Sequence, residues 1–162
     1  MPGRVWKLGD NIDTDIIIPS QYLRLEPEEY ANYMMEPLIP DFSKKVSEGD
    51  YIVGGDNFGS GSSREQAVYG LQVLGISAIF AKSFSRVFYR NSINRGLPAL
   101  FIGAEAYEKI NDGDTIDLKF EQGTINNITG KEEIKFEMVT PFLKRLLKAG
   151  GAINYYSRAL ID

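Results

Sequence analysis

A seven-residue segment, Gly59-Ser60-Gly61-Ser62-Ser63-Arg64-Glu65, combines residue types that bind small anions. It follows an apolar stretch typical of a strand and opens a stretch whose apolar residues have helical spacing. The N–H groups and dipole at the start of a helix attract anions, and glycines let a ligand approach the backbone closely. The guanidinium of Arg64 suits a carboxylate or a phosphate. The segment therefore predicts an anion site.

The same segment also has a structural interpretation, as a helix start. Ser62 as N-cap and Glu65 three residues later form the pattern of a capping box. A capping box requires neither Ser63 nor Arg64, nor the preceding Gly-x-Gly, so we favour the anion site while keeping capping open. A nucleotide loop is disfavoured, because neither the Walker spacing nor Gly-x-Gly-x-x-Gly occurs here.

Length and composition limit the classes of protein to which this chain can belong. The 162 residues suit one ordinary domain, and 43% apolar and 25% charged residues fit a globular protein. A net charge of −4 argues against a broad basic surface for nucleic acid. No apolar run approaches a membrane span, and residues 1–5 lack a signal-peptide pattern. We therefore expect a cytoplasmic protein with neither a nucleic-acid nor a membrane partner.

Two residue types common in active sites, cysteine and histidine, do not occur in the sequence. Disulfides, zinc-finger sites, cysteine-ligated iron–sulfur clusters and Ser-His-Asp triads are therefore excluded within this chain. Any catalysis must use Ser, Asp, Glu, Lys, Arg or Tyr, or a metal or partner supplied from outside. We expect the chain itself to bind no metal.

Strand and helix patterns alternate through the first hundred residues. The sequence predicts short apolar strands at 3–8, 51–55, 77–81 and 99–102, and helices at 26–35, 63–74 and 83–95. Strands joined by helices in this way lie parallel. The anion-site segment then lies at the carboxyl end of a parallel strand, where ligands bind in open α/β sheets.

The last third of the chain changes to β segments and a final helix. Alternating apolar and polar residues predict strands at 114–120, 124–128 and 133–139, arranged as an antiparallel meander. Thr140-Pro141 is typical of a helix start and Gly150-Gly151 of a helix end. We therefore predict an α/β fold in three β/β/α layers, with a central mostly parallel sheet, helices and a smaller antiparallel β layer.

Four separated motifs resemble those of one known family. Gly59–Glu65 resembles the Gly-x-Gly-Ser-Ser-Arg-Glu signature of the swivelling domain of the aconitase superfamily. The other matching segments are 11–15 with 21–24, 82–86, and 88–91, and the likeness extends over roughly residues 3 to 155. It is greatest to the free-standing small subunits of 3-isopropylmalate dehydratase and homoaconitase. The resemblance implies one swivelling domain over residues 1–162.

The resemblance also implies a mechanism shared between two chains. A large partner subunit carries a [4Fe–4S] cluster on three cysteines, as heterodimer or heterotetramer, and the cluster acts as a Lewis acid on a small hydroxy-carboxylic acid. By resemblance Ser62 is the base, Ser63 and Arg64 bind substrate carboxylate, and Asp15 is an active-site residue. The implied reaction interconverts 2- and 3-isopropylmalate by dehydration and rehydration in leucine biosynthesis. The missing cysteines agree with a cluster on the partner.

The loop around Arg24 is expected to set substrate choice in this family. An apolar residue there would suit the isopropyl group, whereas Arg24 suits the extra carboxylate of homocitrate-type substrates, and Leu25 follows it. We expect isopropylmalate activity with tolerance for homologous tricarboxylates, and homoaconitase activity is the alternative. Arg24 on a merely exposed loop also stays open. Two departures from the family pattern are Gln66, where histidine is usual, and Ser60, which replaces a frequent cysteine.

Several other residues admit two interpretations. Asp13 and Asp15 form either a carboxylate pair for metal or acid–base work or a polar turn. The tail at 152–161 docks on a neighbour or folds back. Cationic residues after the third strand are expected on solvated helix faces or at subunit contacts; these are Lys82, Arg86, Arg90 and Arg95. Self-association of the isolated chain, and an anion-binding regulatory protein instead of an enzyme, remain alternatives.

Overall fold

A computed structural model describes residues 1–159 and contains one seven-stranded mixed sheet. The strand order across the sheet is β4-β3-β2-β1-β5-β6-β7. The strands are β1 (Gly3–Lys7), β2 (Tyr51–Gly54), β3 (Ala78–Ala81), β4 (Ala99–Phe101), β5 (Thr115–Lys119), β6 (Thr124–Asn127) and β7 (Glu132–Lys135).

The parallel half of the sheet, β1 to β4, has the predicted strands in the predicted direction. Val5 is opposite Tyr51, Tyr51 is opposite Ala78, and Ile79 is opposite Ala99, each in a parallel pair. All four residues of β2 and all four of β3 are buried. Continuous burial is typical of parallel strands that are covered on both faces.

The antiparallel half, β5 to β7, continues the same sheet. Its first strand pairs with β1, where Gly3 lies opposite Ile116, and β5, β6 and β7 then form the predicted meander. The predicted α/β class is confirmed, and the structure adds that β1 joins the two halves. The expectation of one domain over residues 1–162 extends past the described residues and stays a prediction.

Eight α-helices occur among the described residues. They are α1 (Thr14–Ile17), α2 (Pro27–Tyr30), α3 (Phe42–Lys45), α4 (Glu65–Val73), α5 (Arg86–Arg95), α6 (Ala104–Lys109), α7 (Pro141–Lys148) and α8 (Ala152–Ala159). As predicted, Thr140 caps α7, where its side chain accepts the N–H of Leu143. None of the helices in this part of the chain has the length and apolar character needed to cross a bilayer.

The helix predicted at 26–35 is wrong in its second half. After α2 the chain forms a short 3₁₀ turn (Ala31–Tyr33) and then leaves the helical conformation. The N–H of Met35 donates to Ile17 O at 2.9 Å, so this residue joins α1 instead of extending a helix. Met34 and Met35 are both fully buried, and tertiary packing therefore overrides their helix propensity.

Two hydrophobic clusters cover the two faces of the sheet. Trp6, Ile52 and Ile79 pack with the helices α4 and α5 in one cluster, together with Phe58, Leu71 and Phe88 among others. Their neighbours along the strands, including Val5, Tyr51, Val53 and Phe80, belong to the other cluster with residues of β5 to β7. Successive strand residues point to opposite faces, so β1, β2 and β3 each contribute to both clusters, whereas β4 contributes Leu100 to the second.

Candidate functional site

The loops that follow β1, β2 and β3 meet at one edge of the sheet, which we call the carboxyl edge (residues 8–15, 55–64 and 82–85). Isolated parallel bridges join Asp13 to Ser60 and Phe58 to Phe84. The N–H of Gly59 donates to Ile12 O at 2.7 Å. The Gly-rich segment is therefore held between the loops of two other strands, at the edge where the sequence predicted it.

Gly59 is required by both conformation and packing. Its φ is +75°, and a Cβ atom at this position would lie 2.2 Å from Cγ of Phe88. Its carbonyl oxygen accepts a hydrogen bond of 2.6 Å from the hydroxyl of Ser85, which also caps α5 by accepting the N–H of Phe88. The first glycine thus lets the loop lie directly against the start of α5.

Helix α4 begins at Glu65, with Arg64 as its N-cap and with no side-chain hydrogen bond at the cap. The capping box that Ser62 and Glu65 offered as an alternative is therefore wrong, and the helix predicted from about residue 63 starts two residues later. Ser62 lies two residues before the N-cap, and its hydroxyl faces Thr14 instead of the helix N–H groups. Within residues 1–159 no side chain bonds the amides of Glu65 and Gln66, whereas the N–H of Ala67 donates to Arg64 O, so the N–H groups of Glu65 and Gln66 are left for an anion.

Asp15 and Arg64, predicted separately as site residues, form an ion pair. The same Nη1 of Arg64 also donates to Ile18 O at 3.3 Å. The Arg64 side chain is only 17% exposed, whereas that of Asp15 is 63% exposed. Both of these bonds use Nη1, and within residues 1–159 no partner occupies Nη2 or Nε. The guanidinium is therefore fixed in place, with donors left for a carboxylate.

Asp13 and Asp15 have different roles in spite of their spacing. The Asp13 carboxylate caps α1, accepting the N–H of Asp15 at 2.8 Å and that of Ile16 at 3.0 Å. The turn interpretation is therefore correct for Asp13, and only Asp15 faces Arg64. Within residues 1–159, no group of three or more acidic side chains could hold a metal ion.

Thr14 is a site residue that the sequence reasoning missed. It is only 2% exposed, and its N–H donates to Ser60 O at 2.8 Å. Its hydroxyl donates to Ser62 O at 3.0 Å and lies 3.4 Å from the Ser62 hydroxyl. The sequence signal that could have identified Thr14 is its position in the Asn11–Asp15 motif, between Asp13 and Asp15.

Ser62, Ser63 and Arg24 have exposed side chains. Arg24 makes no hydrogen bond or ion pair with any residue in the described part of the chain. Its loop is held by Tyr22, which stacks on Tyr33 with ring centroids 3.8 Å apart. The structure thus brings Asp15, Ser62 and Arg64 to one edge through two contacts, Asp15 with Arg64 and Thr14 with Ser62. Arg24 takes part in neither contact.

A groove of about 320 Å³ lies between the Arg24 loop and the first turns of α4. Gln66 lines it, at the position where the family usually has histidine. Arg95 also lines the groove and lies 3.4 Å from the Glu65 carboxylate and 3.9 Å from the Tyr69 ring centroid, two further lining residues. The other lining residues are Leu23, Leu25, Pro27 and Tyr30.

Lys82 was expected on a solvated helix face or a subunit contact, and the helix placement is wrong. It follows β3, and its ammonium lies 2.8 Å from the Asp56 carboxylate and 3.2 Å from that of Asp10. Hydrogen bonds to Asp56 and then Asp10 raise the pKa of Lys82. The backbone N–H of Asp56, followed by Lys82, lowers the pKa of Asp10. This ionic cluster ties the loops after β1, β2 and β3 together.

Comparison with known proteins places the chain in a family. The model of the aconitase C-terminal domain matches residues 11–105. The 3-isopropylmalate dehydratase small subunit of Nautilia profundicola is 49% identical, over 98% of this chain and 95% of the relative. The isopropylmalate/citramalate isomerase small subunit of Methanocaldococcus jannaschii is 47% identical, over 99% and 95% respectively.

A solved structure shows the same architecture. The crystal structure of 3-isopropylmalate dehydratase (leuD) from Methanocaldococcus jannaschii superposes with a TM-score of 0.93 at 43% identity. The match covers 99% of this chain and 95% of that one. The resemblance predicted from four motifs is confirmed. The chain belongs to the aconitase C-terminal domain family.

Proposed function

We propose that the chain is the small subunit of a two-chain hydro-lyase of the 3-isopropylmalate dehydratase type, which interconverts 2- and 3-isopropylmalate. The observation that carries the proposal is the contact between two segments of the carboxyl edge. Asp15 holds the guanidinium of Arg64, while Thr14 holds the backbone of Ser62. Small subunits of that name are similar to the chain along nearly its whole length. A cytoplasmic location belongs to the same proposal.

The iron–sulfur cluster of the family does not fit on this chain. Clusters of this kind are held by cysteine thiolates, with histidine as the usual substitute, and the sequence contains neither residue. We therefore assign the cluster, and the electrophile that the reaction requires, to the large partner subunit. The open carboxyl edge, with Ser62 and Ser63 exposed, is the surface that this partner must cover.

Four polar residues of the edge have a defined part in the proposed half-site. Ser62 Oγ accepts the proton that leaves the substrate carbon. Arg64 binds a substrate carboxylate with its free donors, while its ion pair with Asp15 fixes the orientation of the guanidinium. Ser63 offers a second donor to the same carboxylate. A serine base requires a site from which water is excluded, and closure by the partner supplies this condition.

Citramalate is a second candidate substrate. The relative from Methanocaldococcus jannaschii that is named for both isopropylmalate and citramalate covers 99% of the chain at 47% identity. Citramalate carries a methyl group where isopropylmalate carries an isopropyl group, so both place an apolar substituent beside two carboxylates. One half-site with Arg64 and Ser63 as carboxylate ligands serves both substrates.

Reconstitution with a cluster-loaded large subunit under anaerobic conditions tests the proposed function. Interconversion of the isopropylmalates should appear only when both chains are present. Ser62→Ala should lower kcat by roughly 10²- to 10⁴-fold, the usual contribution of a general base. Ser157→Ala, at an exposed position of α8, is the matched control and should leave kcat unchanged.

Two results would refute the proposal. A large subunit that is fully active alone would leave no role for this chain in the reaction. Wild-type kcat in Ser62→Ala would remove Ser62 as the base. An anion-binding regulatory protein, the alternative, would bind isopropylmalate or its analogues without supporting turnover in any mixture.

A further inference from the structure

We propose that Thr14 is a positioning residue whose hydroxyl stabilises the deprotonated form of Ser62. This inference rests on the proposed function, because it gives Ser62 the role of base. It concerns a buried side chain for which neither the sequence motifs nor the comparisons supplied a role. The observation behind it is that the Thr14 hydroxyl lies near two oxygens of Ser62, the carbonyl oxygen and the side-chain hydroxyl.

The geometry allows Thr14 to exchange one acceptor for another. Its hydroxyl donates to Ser62 O at 3.0 Å, and its oxygen lies 3.4 Å from Ser62 Oγ. A threonine hydroxyl has one proton to donate and two lone pairs to accept with. While Ser62 is protonated, its own O–H can donate to Thr14. Once Ser62 loses that proton its Oγ can only accept, and rotation of the Thr14 hydroxyl supplies the donor.

The backbone around Thr14 fixes this arrangement. The residue is 2% exposed, and its N–H donates to Ser60 O, so main chain and side chain both hold the Ser60–Ser62 turn. Gly61, at the tip of this turn, has a φ of +89°, and a Cβ there would lie 3.4 Å from Oγ1 of Thr14. The turn therefore wraps closely around the threonine side chain.

A hydrogen bond to the charged form of a group favours that form. For Ser62 such a donor lowers the free energy needed to generate the base. The loops of the carboxyl edge and the starts of α1 and α4 carry seven charged groups: Asp10, Asp13, Asp15, Asp56, Arg64, Glu65 and Lys82. Substitutions of Thr14 leave all of them unchanged, so such variants isolate the contribution of the hydroxyl.

The first test needs neither the partner nor turnover. Because the chain contains no cysteine, Ser62→Cys introduces a single thiol, whose pKa can be measured from the pH dependence of its alkylation rate by iodoacetamide. Adding Thr14→Val should raise the pKa of this thiol by about half a unit to one unit, since the donor to the thiolate is lost. Adding Thr14→Ser should restore it, because the hydroxyl returns.

Thr115→Val, which makes the same chemical change in the antiparallel half, is the matched control and should leave the thiol pKa unchanged. An unchanged thiol pKa in Thr14→Val, measured on protein whose thermal unfolding is cooperative, overturns the inference. Equal pKa values in Thr14→Val and Thr14→Ser also overturn it, because they assign the effect to packing. If the valine variant does not fold, Thr14→Ala takes its place in the same comparison.

The second test uses the reconstituted enzyme and separates this inference from the proposed function. In an otherwise wild-type chain, Thr14→Val should lower kcat for isopropylmalate about 10-fold or more, with KM changed less than threefold, and Thr14→Ser should recover most of the loss. Ser62→Ala is assayed beside them. If Ser62→Ala is inactive and Thr14→Val has wild-type kcat, only the role of Thr14 fails. If Ser62→Ala is fully active, the proposed function fails.

Discussion

The two halves of the sheet contain polar networks of opposite character. In the antiparallel half, Asn127 is fully buried and donates to the Asp114 carboxylate at 2.9 Å. At the carboxyl edge of the parallel half, Thr14 is buried but the Ser62 that it holds is exposed. One network is closed inside the protein, and the other ends at the surface.

The two networks also differ in how far apart their bonded residues lie along the sequence. Asn127 and Asp114 are 13 positions apart, whereas Thr14 and Ser62 are 48 positions apart and Asp15 and Arg64 are 49 apart. A closed local network satisfies its own polar groups and contributes stability. A network assembled from distant loops and left open at one end orients groups toward something outside the chain. The parallel half should therefore respond to substitution mainly in activity and the antiparallel half mainly in stability.

After Ser62→Ala, the largest effect on this contrast is expected from Arg64→Gln. Loss of charge-assisted hydrogen bonds to a substrate carboxylate should lower kcat/KM of the reconstituted enzyme about 100-fold, which corresponds to roughly 3 kcal/mol. Arg64→Lys should recover only part of the loss, because an ammonium lacks the planar fork of a guanidinium. Steady-state kinetics with isopropylmalate measure both, with Arg158→Gln on α8 as control. Wild-type kcat/KM in Arg64→Gln would contradict the half-site.

Asn127→Ala in the antiparallel half is expected to lower stability and to leave activity unchanged. The substitution removes a donor to the Asp114 carboxylate and the acceptor of Gly130 N–H, so it should lower the free energy of unfolding by about 1–3 kcal/mol. Urea unfolding of the isolated chain measures this, with Asn126→Ala, at the exposed neighbouring position, as control. kcat of the folded, reconstituted variant should stay at the wild-type value. A large loss of kcat without loss of stability would contradict the expectation that this half of the sheet affects stability and not activity.

A smaller effect, confined to substrate preference, is expected from Arg24→Ala. Loss of the charge should reduce kcat/KM for homoaconitate about 10-fold relative to isopropylmalate and citramalate, equivalent to roughly 1.4 kcal/mol. Parallel assays of the three substrates with wild type and variant measure the ratio. Equal changes for all three would assign no part in specificity to Arg24.

The smallest effect is expected from Asp10→Asn, and it depends on pH. The folded state lowers the pKa of Asp10, so its carboxylate stabilises the protein above the ordinary value of 3.8 and loses this effect as pH falls through the lowered value. Wild type should therefore unfold at slightly higher urea than Asp10→Asn at pH 7, and the difference should shrink progressively as pH falls below 3.8. A difference that grows toward acid pH has the wrong sign for a carboxylate that is stabilised by the N–H of Asp56 and then by Lys82.

The sequence predicted the parallel strands and the edge that carries the site, because apolar runs and helical spacing reflect local burial. It could not predict the contacts between loops. The capping-box pattern at Ser62 obeys a local rule, yet the tertiary contact with Thr14 places Ser62 outside the helix. The break after Tyr30 depends in the same way on a hydrogen bond from Met35 to α1.

The family motifs identified site residues that residue spacing alone could not identify. Asp15 and Arg64 were named separately as site residues, and only the fold shows that they form an ion pair. Thr14 was missed because a buried threonine carries no signal of its own in a single sequence.

The sequence left two placements open for the tail at 152–161, docking on a neighbour or folding back. Helix α8 occupies most of this tail and packs against α5 and α7, so the described part of the tail folds back. Residues 160–161 of that tail lie outside the described residues.

The proton-accepting role of Ser62 can be tested by a single turnover of dehydration. Excess reconstituted enzyme is mixed rapidly with isopropylmalate, and the conjugated double bond of the dehydrated intermediate is followed by ultraviolet absorbance. This separates the chemical step from binding and product release. The rate with Ser62→Ala should fall by roughly 10²- to 10⁴-fold while substrate binding is retained. A rate within about threefold of wild type would contradict a base on this chain, because a general base contributes far more than that.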